Sequence, residues 1–251
     1  MKEQEMAPTD VISVRNNLLP KLLPLEARTL VDQVVDAIVE ATATGVFLPG
    51  DRIVEAEVAR SLNVSRVPVR EALRMLESQG IVVSTRYRGM RLMDVSVDRL
   101  EKILKVRLAL EKLAAAEVMR ISTRDPAVLE PLRKIIDELH AAGERGDSFG
   151  VARLDTDFHR CLCRLSGNDV LLRMWEPLSR QLTIIFGLST LQKELGLIVQ
   201  EHDELLENLK AGDAAALERL MEVHILEYSQ ALDYAGFVEQ LRRIEKRSND
   251  G

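Results

Sequence analysis

The sequence predicts a mostly α-helical protein in two parts: a small N-terminal domain of helices with a β wing, then an antiparallel all-α helical bundle. Three observations carry this. Residues 57–80 read as two short amphipathic helices joined by a tight turn, and residues 81–93 as two short extended runs around a glycine. From Val97 onward every apolar stripe keeps the helical period. A chain of 251 residues, 46% hydrophobic, 29% charged and only 4% aromatic, has the size for two cores and the composition of Leu/Ala/Val-rich helical packing.

Residues 1–25 hold Pro8, Pro20, Pro24 and the Asn16-Asn17 pair, which predict an arm with little fixed structure ahead of a domain spanning 26–95. Ala27 to Ala43 follows as a helix with Leu30, Val34, Ala37, Ile38 and Ala41 on one face. Pro49-Gly50-Asp51 is a turn signal before an extended segment at 52–54.

In the second of the two central helices, Val69, Ala72, Leu73 and Leu76 fall at i, i+3, i+4 and i+7 and form the packing stripe. Ser65 stands at the N-cap position, Pro68 lies within the first turn, and Gly80 supplies the conformation that stops the helix. Arg66, Arg70 and Arg74, four apart, make a ridge beside that stripe. Such a ridge is either a solvated helix face or a reading head: the helix is about 21 Å long, enough to cross a major groove. Charge placement favours the reading head. The chain carries a formal net charge of -6, yet between Arg66 and Arg91 six arginines face only Glu71 and Glu77. A basic surface on an acidic protein is the footprint of a nucleic-acid binder. After it, Ile81-Val82-Val83 and Met90 to Met93 flank Arg86-Tyr87-Arg88-Gly89 as a hairpin wing.

The bundle, spanning 96–247, is predicted as helices over 97–121, 125–146, 149–165, 170–188 and 195–210, then one capped by Asp213 and running to about residue 235, with a short last helix over 237–247. Pro177 should kink or split its helix. No apolar run approaches the length that spans a bilayer, and the N-terminus lacks a signal-peptide core, so a cytoplasmic protein without membrane contact is expected. Cys161 and Cys163, two apart on a helix, diverge and should stay reduced.

The chain has four histidines. Asp155 and His159 leave one helix face at i and i+4, and His202 and His224 lie mid-helix on two others. Three histidines and a carboxylate projecting inward suit a divalent transition metal (Zn, Ni, Mn or Fe); histidines that satisfy one another in a core are the alternative, and the commoner one. His140, at the polar end of its helix, is set aside.

Leu48-Pro-Gly-Asp51, Val58-Ala59, Leu62-Asn-Val-Ser-Arg66, Pro68-Val-Arg-Glu-Ala-Leu73, Leu76-Glu77, Gly80-Ile81 and Arg88-Gly89 resemble the GntR family of winged helix-turn-helix regulators. The resemblance implies that Ser65, Arg66 and Arg70 meet operator bases or phosphates, with Arg74 and Arg88 beside them, and that Gly89 approaches the minor groove. Ala56 stands where many relatives carry an arginine. The bundle resembles the FCD domain of the FadR branch through Arg107 to Glu111, Asp155 to His159, Ser166-Gly-Asn168, Glu201-His202 and His224. That implies Asp155, His159, His202 and His224 as metal ligands and a small carboxylate effector. Arg107 is then either the effector's partner or a salt bridge to Glu111 one turn on. The expected whole is a homodimeric repressor on a palindromic double-stranded operator. Two readings compete with it: a metalloenzyme fused to a DNA-binding domain, and a regulator whose metal is purely structural.

Overall fold

The computed structural model describes residues 29–85, 89–94, 96–191, 194–227, 236 and 238–243. The expected arm and Arg88 lie outside them, as does most of the chain from 228 onward.

The N-terminal domain opens with α1 (Leu30–Ala43), three residues later than the sequence pattern suggests. Thr29 fixes that start through a capping box: it accepts from the Asp32 amide, and the Asp32 carboxylate accepts back from Thr29. Strand β1 (Arg52–Ile53) leads into α2 (Glu55–Ser61) and α3 (Arg66–Ser78), and β2 (Val82–Thr85) and β3 (Gly89–Leu92) complete the wing. The sheet is antiparallel in the order β1-β3-β2, with Val83 opposite Arg91 and Arg52 opposite Arg91 on the other side. Val69, Ala72, Leu73 and Leu76 of α3 are fully buried, as their spacing requires. Gly80 takes the left-handed conformation (φ 69°) that ends the helix.

One expectation about α3 fails in its detail. Ser65 holds the extended N-cap backbone, but its hydroxyl accepts no amide from the first turn. The reason lies three residues on: an N-cap oxygen ordinarily takes the N2 or N3 amide, and N3 here is Pro68, which has none.

The helical domain comprises α4 (Val97–Ser122), a 3₁₀ turn (Pro126–Leu129), α5 (Glu130–Glu144), α6 (Ser148–Leu165), α7 (Asp169–Thr190), α8 (Leu195–Ala211) and α9 (Ala214–Glu222), which widens into a π turn over Val223–Glu227. The single helix expected over 125–146 is divided, because Pro131 has no N–H to continue the ladder from the turn that Asp125 caps. Pro177, by contrast, does not split α7. Leu171 and Trp175 before it and Ser179 and Leu182 after it are all buried, so packing on both sides holds one helix together. Asp213 caps α9 as expected.

The larger of two hydrophobic clusters runs through both domains with α7 as its beam, and a smaller one joins α5, α6 and α8. Gly187 of α7 meets α1 so closely that a Cβ there would lie 2.5 Å from the Ala43 Cβ and 2.8 Å from its carbonyl oxygen. Near its middle, Gln181 donates to the Gln79 carbonyl at the end of α3 (2.6 Å), and Arg99 bridges Gln181 and the Gly80 carbonyl. A further contact comes from the chain's far end: residues 238–243 are helical, and Arg242 donates to the Pro49 carbonyl and pairs with Asp51 at 3.3 Å.

Candidate functional site

The first site is the outer face of α3. Arg66, Arg70 and Arg74 are all exposed on it, as the four-residue spacing places them. They are not all free. Arg70 forks onto Glu55 of α2, Nε to Oε2 at 3.1 Å and Nη2 to Oε1 at 2.9 Å, and Arg74 pairs with Glu71 at 2.9 Å. The Arg70 hydrogen bonds hold the Glu55 carboxyl below the usual carboxylate range. Val67, 66% exposed between Arg66 and the packing stripe, and Gly89 at the start of β3 (φ 75°) complete the described part of this surface.

The second site is at the centre of the bundle. Asp155 and His159 on α6, His202 on α8 and His224 in the π turn are all buried, and one ligand atom from each lies within 4.8 Å of the other three. The four residues that the sequence and its resemblance singled out are therefore brought together. His140 is elsewhere, paired with Asp203 on the surface.

The histidine rings are oriented by what stands behind them. The His159 Nδ1 lies 2.7 Å from Oε2 of Glu111, the His224 Nδ1 lies 3.2 Å from Glu201 and the His202 Nδ1 lies 2.7 Å from the Ile198 carbonyl. A carboxylate or carbonyl beside a ring nitrogen selects the tautomer with the proton on that nitrogen. A ring with its proton on Nδ1 turns an Nε2 lone pair inward. The consequence shows in two distances: the Nε2 atoms of His159 and His224 are only 3.0 Å apart, and the His202 Nε2 is 3.4 Å from an Asp155 oxygen. Without an ion the 3.0 Å pair is a hydrogen bond in which one ring's Nε2–H donates to the other; an ion there would take the lone pairs instead.

The donor set fits a divalent transition metal. Atoms bonded to one ion at roughly 2.0–2.2 Å lie at most about 4.4 Å apart, so the four ligands need close in by about half an ångström. Asp155 Oδ1 and His202 Nε2 are buried without a hydrogen-bond partner among the described residues, which an ion would remedy. Burial, opposed by Asp155, holds His202 down at about 4, and a neutral ring is the ligand form.

Sequence reasoning missed the most connected residue. Glu111, fully buried, receives Arg107 Nε at 2.7 Å and Trp175 Nε1 at 2.8 Å on Oε1, and faces His159 with Oε2. Burial pushes its carboxyl up, but Arg107 and His159 outweigh that and hold it at about 2. Its i+4 spacing from Arg107 was the only signal, and it pointed to a local ion pair. That pair is present. Arg107 nevertheless leaves Nη2 buried with no hydrogen-bond partner among the described residues, its guanidinium carbon 5.0 Å from the centroid of the Phe186 ring. Cys161 and Cys163 are buried free thiols whose ionisation burial opposes.

A helix-turn-helix with a wing, fused to a helical domain with a buried polar centre, has the architecture of a DNA-binding regulator. Comparison with known proteins agrees: residues 30–92 match the model of bacterial regulatory proteins of the gntR family, and residues 102–227 match the FCD domain. The chain belongs to the GntR family, in its FCD-containing branch, and is a transcriptional regulator, not an enzyme. It is 29% identical over 208 residues to a probable D-xylose utilization operon transcriptional repressor of Paenarthrobacter nicotinovorans, covering 82% of this chain and 90% of that one. It is 30% identical to the HTH-type transcriptional regulator YdhC of Bacillus subtilis (strain 168), covering 72% and 80%. The solved structure of E. coli McbR/YncC shares the fold at a TM-score of 0.66 and 22% identity, over 85% of this chain and 99% of that one. No helix among the described residues is long and apolar enough to cross a membrane.

Proposed function

We propose that the protein is a cytoplasmic repressor that binds a palindromic double-stranded operator as a homodimer through residues 26–95, and releases or retunes it when a small carboxylate metabolite binds residues 96–247. On the DNA side, Ser65, Arg66, Arg70 and Arg74 of α3 are the reading residues, with Arg88 and Gly89 from the wing. Ser65 suits that role because Pro68 leaves its hydroxyl no N3 amide to cap. Two reading helices related by a two-fold axis would read matched half-sites.

On the sensing side, Asp155, His159, His202 and His224 hold a divalent transition metal. The observation that carries this is the convergence of three inward Nε2 atoms, each ring backed by an acceptor at Nδ1. Bound there, such an ion supplies a positive centre that a carboxylate can ligate. Arg107 offers the second handle: its Nη2 is the buried donor left over from the Glu111 pair, suited to the effector's other oxygen. The xylose-operon relative is named a repressor, which favours repression here.

Native mass spectrometry of protein purified without chelator tests all three elements. It should show a dimer carrying one metal per chain and a co-purified acid. A metal-bearing dimer that binds no acid would instead support the purely structural metal, and a metal-free chain would leave the histidines as core residues.

A further inference from the structure

The metal reading assigns ligands but leaves open what decides which nitrogen of His159 faces the ion. We infer that Glu111 is the positioning residue that fixes His159 as its Nδ1–H tautomer and so aims Nε2 at the metal, while its other oxygen ties the same ring to α4 and α7. The inference rests on the metal reading for its purpose but on geometry for its content.

The division of labour between the two carboxylate oxygens is what makes Glu111 specific. Oε1 takes two donors, Arg107 Nε at 2.7 Å and Trp175 Nε1 at 2.8 Å. Oε2 faces His159 Nδ1 alone, an ion-pair contact of 2.7 Å whose angle falls short of a regular hydrogen bond. Every side chain here is essentially without solvent contact: Glu111 and His159 are 0% exposed and Arg107 is 2%. Water therefore cannot stand in for a missing partner, and the buried carboxylate at 2.7 Å, closer than the His224 Nε2 at 3.0 Å, favours the ring that presents N–H to Glu111 and a lone pair to the centre. His202 reaches the same state through the Ile198 carbonyl, which no side-chain substitution removes. His159 depends on a side chain. An acceptor behind a ligating imidazole fixes its tautomer and orientation, and losing it costs about 10–100-fold in metal affinity.

A buried ion pair that merely holds α4 to α7 would show the same distances, so the test separates the two roles through Glu111→Gln. The amide is isosteric. Arg107 and Trp175 are both donors, so they require its oxygen on their side, which turns the NH2 toward His159. The ring should then keep a lone pair on Nδ1 and carry its proton on Nε2, where the metal would bind.

The experiment is long-range ¹⁵N–¹H NMR of the full chain, stripped of metal, at about pH 8, where imidazoles are neutral, with calorimetric titration of Zn²⁺ into the same samples. Wild type should show His159 protonated at Nδ1, and Glu111→Gln should move the proton to Nε2 and weaken Zn²⁺ binding by about 10–100-fold. Asp155→Ala, which removes a ligand and not an orienting group, should weaken Zn²⁺ binding with the His159 tautomer unchanged. An Nε2–H tautomer in wild type, or unchanged tautomer and Zn²⁺ affinity in Glu111→Gln, would overturn the inference. If Glu111→Gln does not fold, the wild-type tautomer alone decides. Failure of wild type to bind Zn²⁺, Ni²⁺ or Mn²⁺ would refute the metal reading while leaving the tautomer assignment standing.

Discussion

Arg70 on α3 and Glu55 on α2 form a forked ion pair across the turn, two hydrogen bonds of 3.1 and 2.9 Å. The guanidinium is half-exposed and already pointed outward, so the pair presets its direction while competing with DNA for its donors.

Arg70→Ala should therefore weaken specific operator binding by about tenfold or more, as loss of a base-contacting arginine does, and leave the unfolding temperature nearly unchanged. Gel shifts at fixed salt, beside thermal melts, measure both. Glu55→Gln should keep Arg70 on the helix but loosen it, raising affinity for non-operator DNA more than for operator. Unaltered binding by Arg70→Ala would remove α3 from the reading role.

Affinity should fall steeply with salt. The arginines between 66 and 91 outnumber the acids there by four, and each phosphate neutralised releases counterions. A log–log plot of the operator binding constant between about 50 and 200 mM salt should be linear with a steep negative slope. A flat plot would contradict a basic reading surface.

Removing metal should lower the melting temperature, because an ion bound only by the folded chain stabilises it by mass action and joins α6, α8 and the π turn. His202→Ala should fail to retain metal and still bind operator, but no longer respond to the effector. Differential scanning fluorimetry with and without chelator checks the first, and metal analysis with a titrated gel shift checks the second.

The metal-free protein should be acid-labile in a defined window. Burial, against Asp155, lowers His202 from 6.5 to about 4, so the unfolded chain takes up the proton first. That contribution to stability is complete above about 6.5 and is lost as pH falls through the interval to about 4. Glu111, held at about 2 by Arg107 and His159 in spite of burial, adds a second loss below its ordinary 4.5. Melting temperatures in chelator should be flat near neutrality and decline below about pH 6.5; a flat profile down to about 4 would mean that His202 titrates as an exposed ring does.

Gly187→Ala should destabilise by about 1–3 kcal/mol, since its new methyl would meet both the Ala43 side chain and its backbone. Ala43→Gly in the same chain should restore only part of the loss, because the Ala43 carbonyl and Cα, 2.8 and 2.9 Å from that methyl, remain. Denaturant melts of the two variants measure the coupling. Full restoration would locate the clash in the side chain alone.

What the sequence reveals and what it hides follow the same physics. The α3 stripe was legible because Val69, Ala72, Leu73 and Leu76 repeat with the helix and nothing beyond the helix is needed to bury them. Asp155 and His159 were legible as a pair for the same local reason. That His202 and His224 join them depends on helix packing, which spacing does not encode, and the resemblance supplied that step. Glu111 stayed hidden because its meaning comes from three helices at once: Arg107 beside it on α4, Trp175 on α7 and His159 on α6. Glu55 was hidden likewise, its partner lying fifteen residues away on the next helix. The Ser65 cap misled because Pro68 withdraws the N3 amide, one of the two that an N-cap oxygen takes.

The return of Arg242 to Pro49 and Asp51 changes how the reading head can move. A domain attached only through the backbone between β3 and α4 could swivel about that link. Here α7 already holds it, through Gly187 against Ala43 and Gln181 on Gln79, and Arg242 adds a further hold on the turn that precedes β1. A body gripped at several separated points has no free hinge. We expect a signal from the bundle to carry α3 along with α7 as one piece.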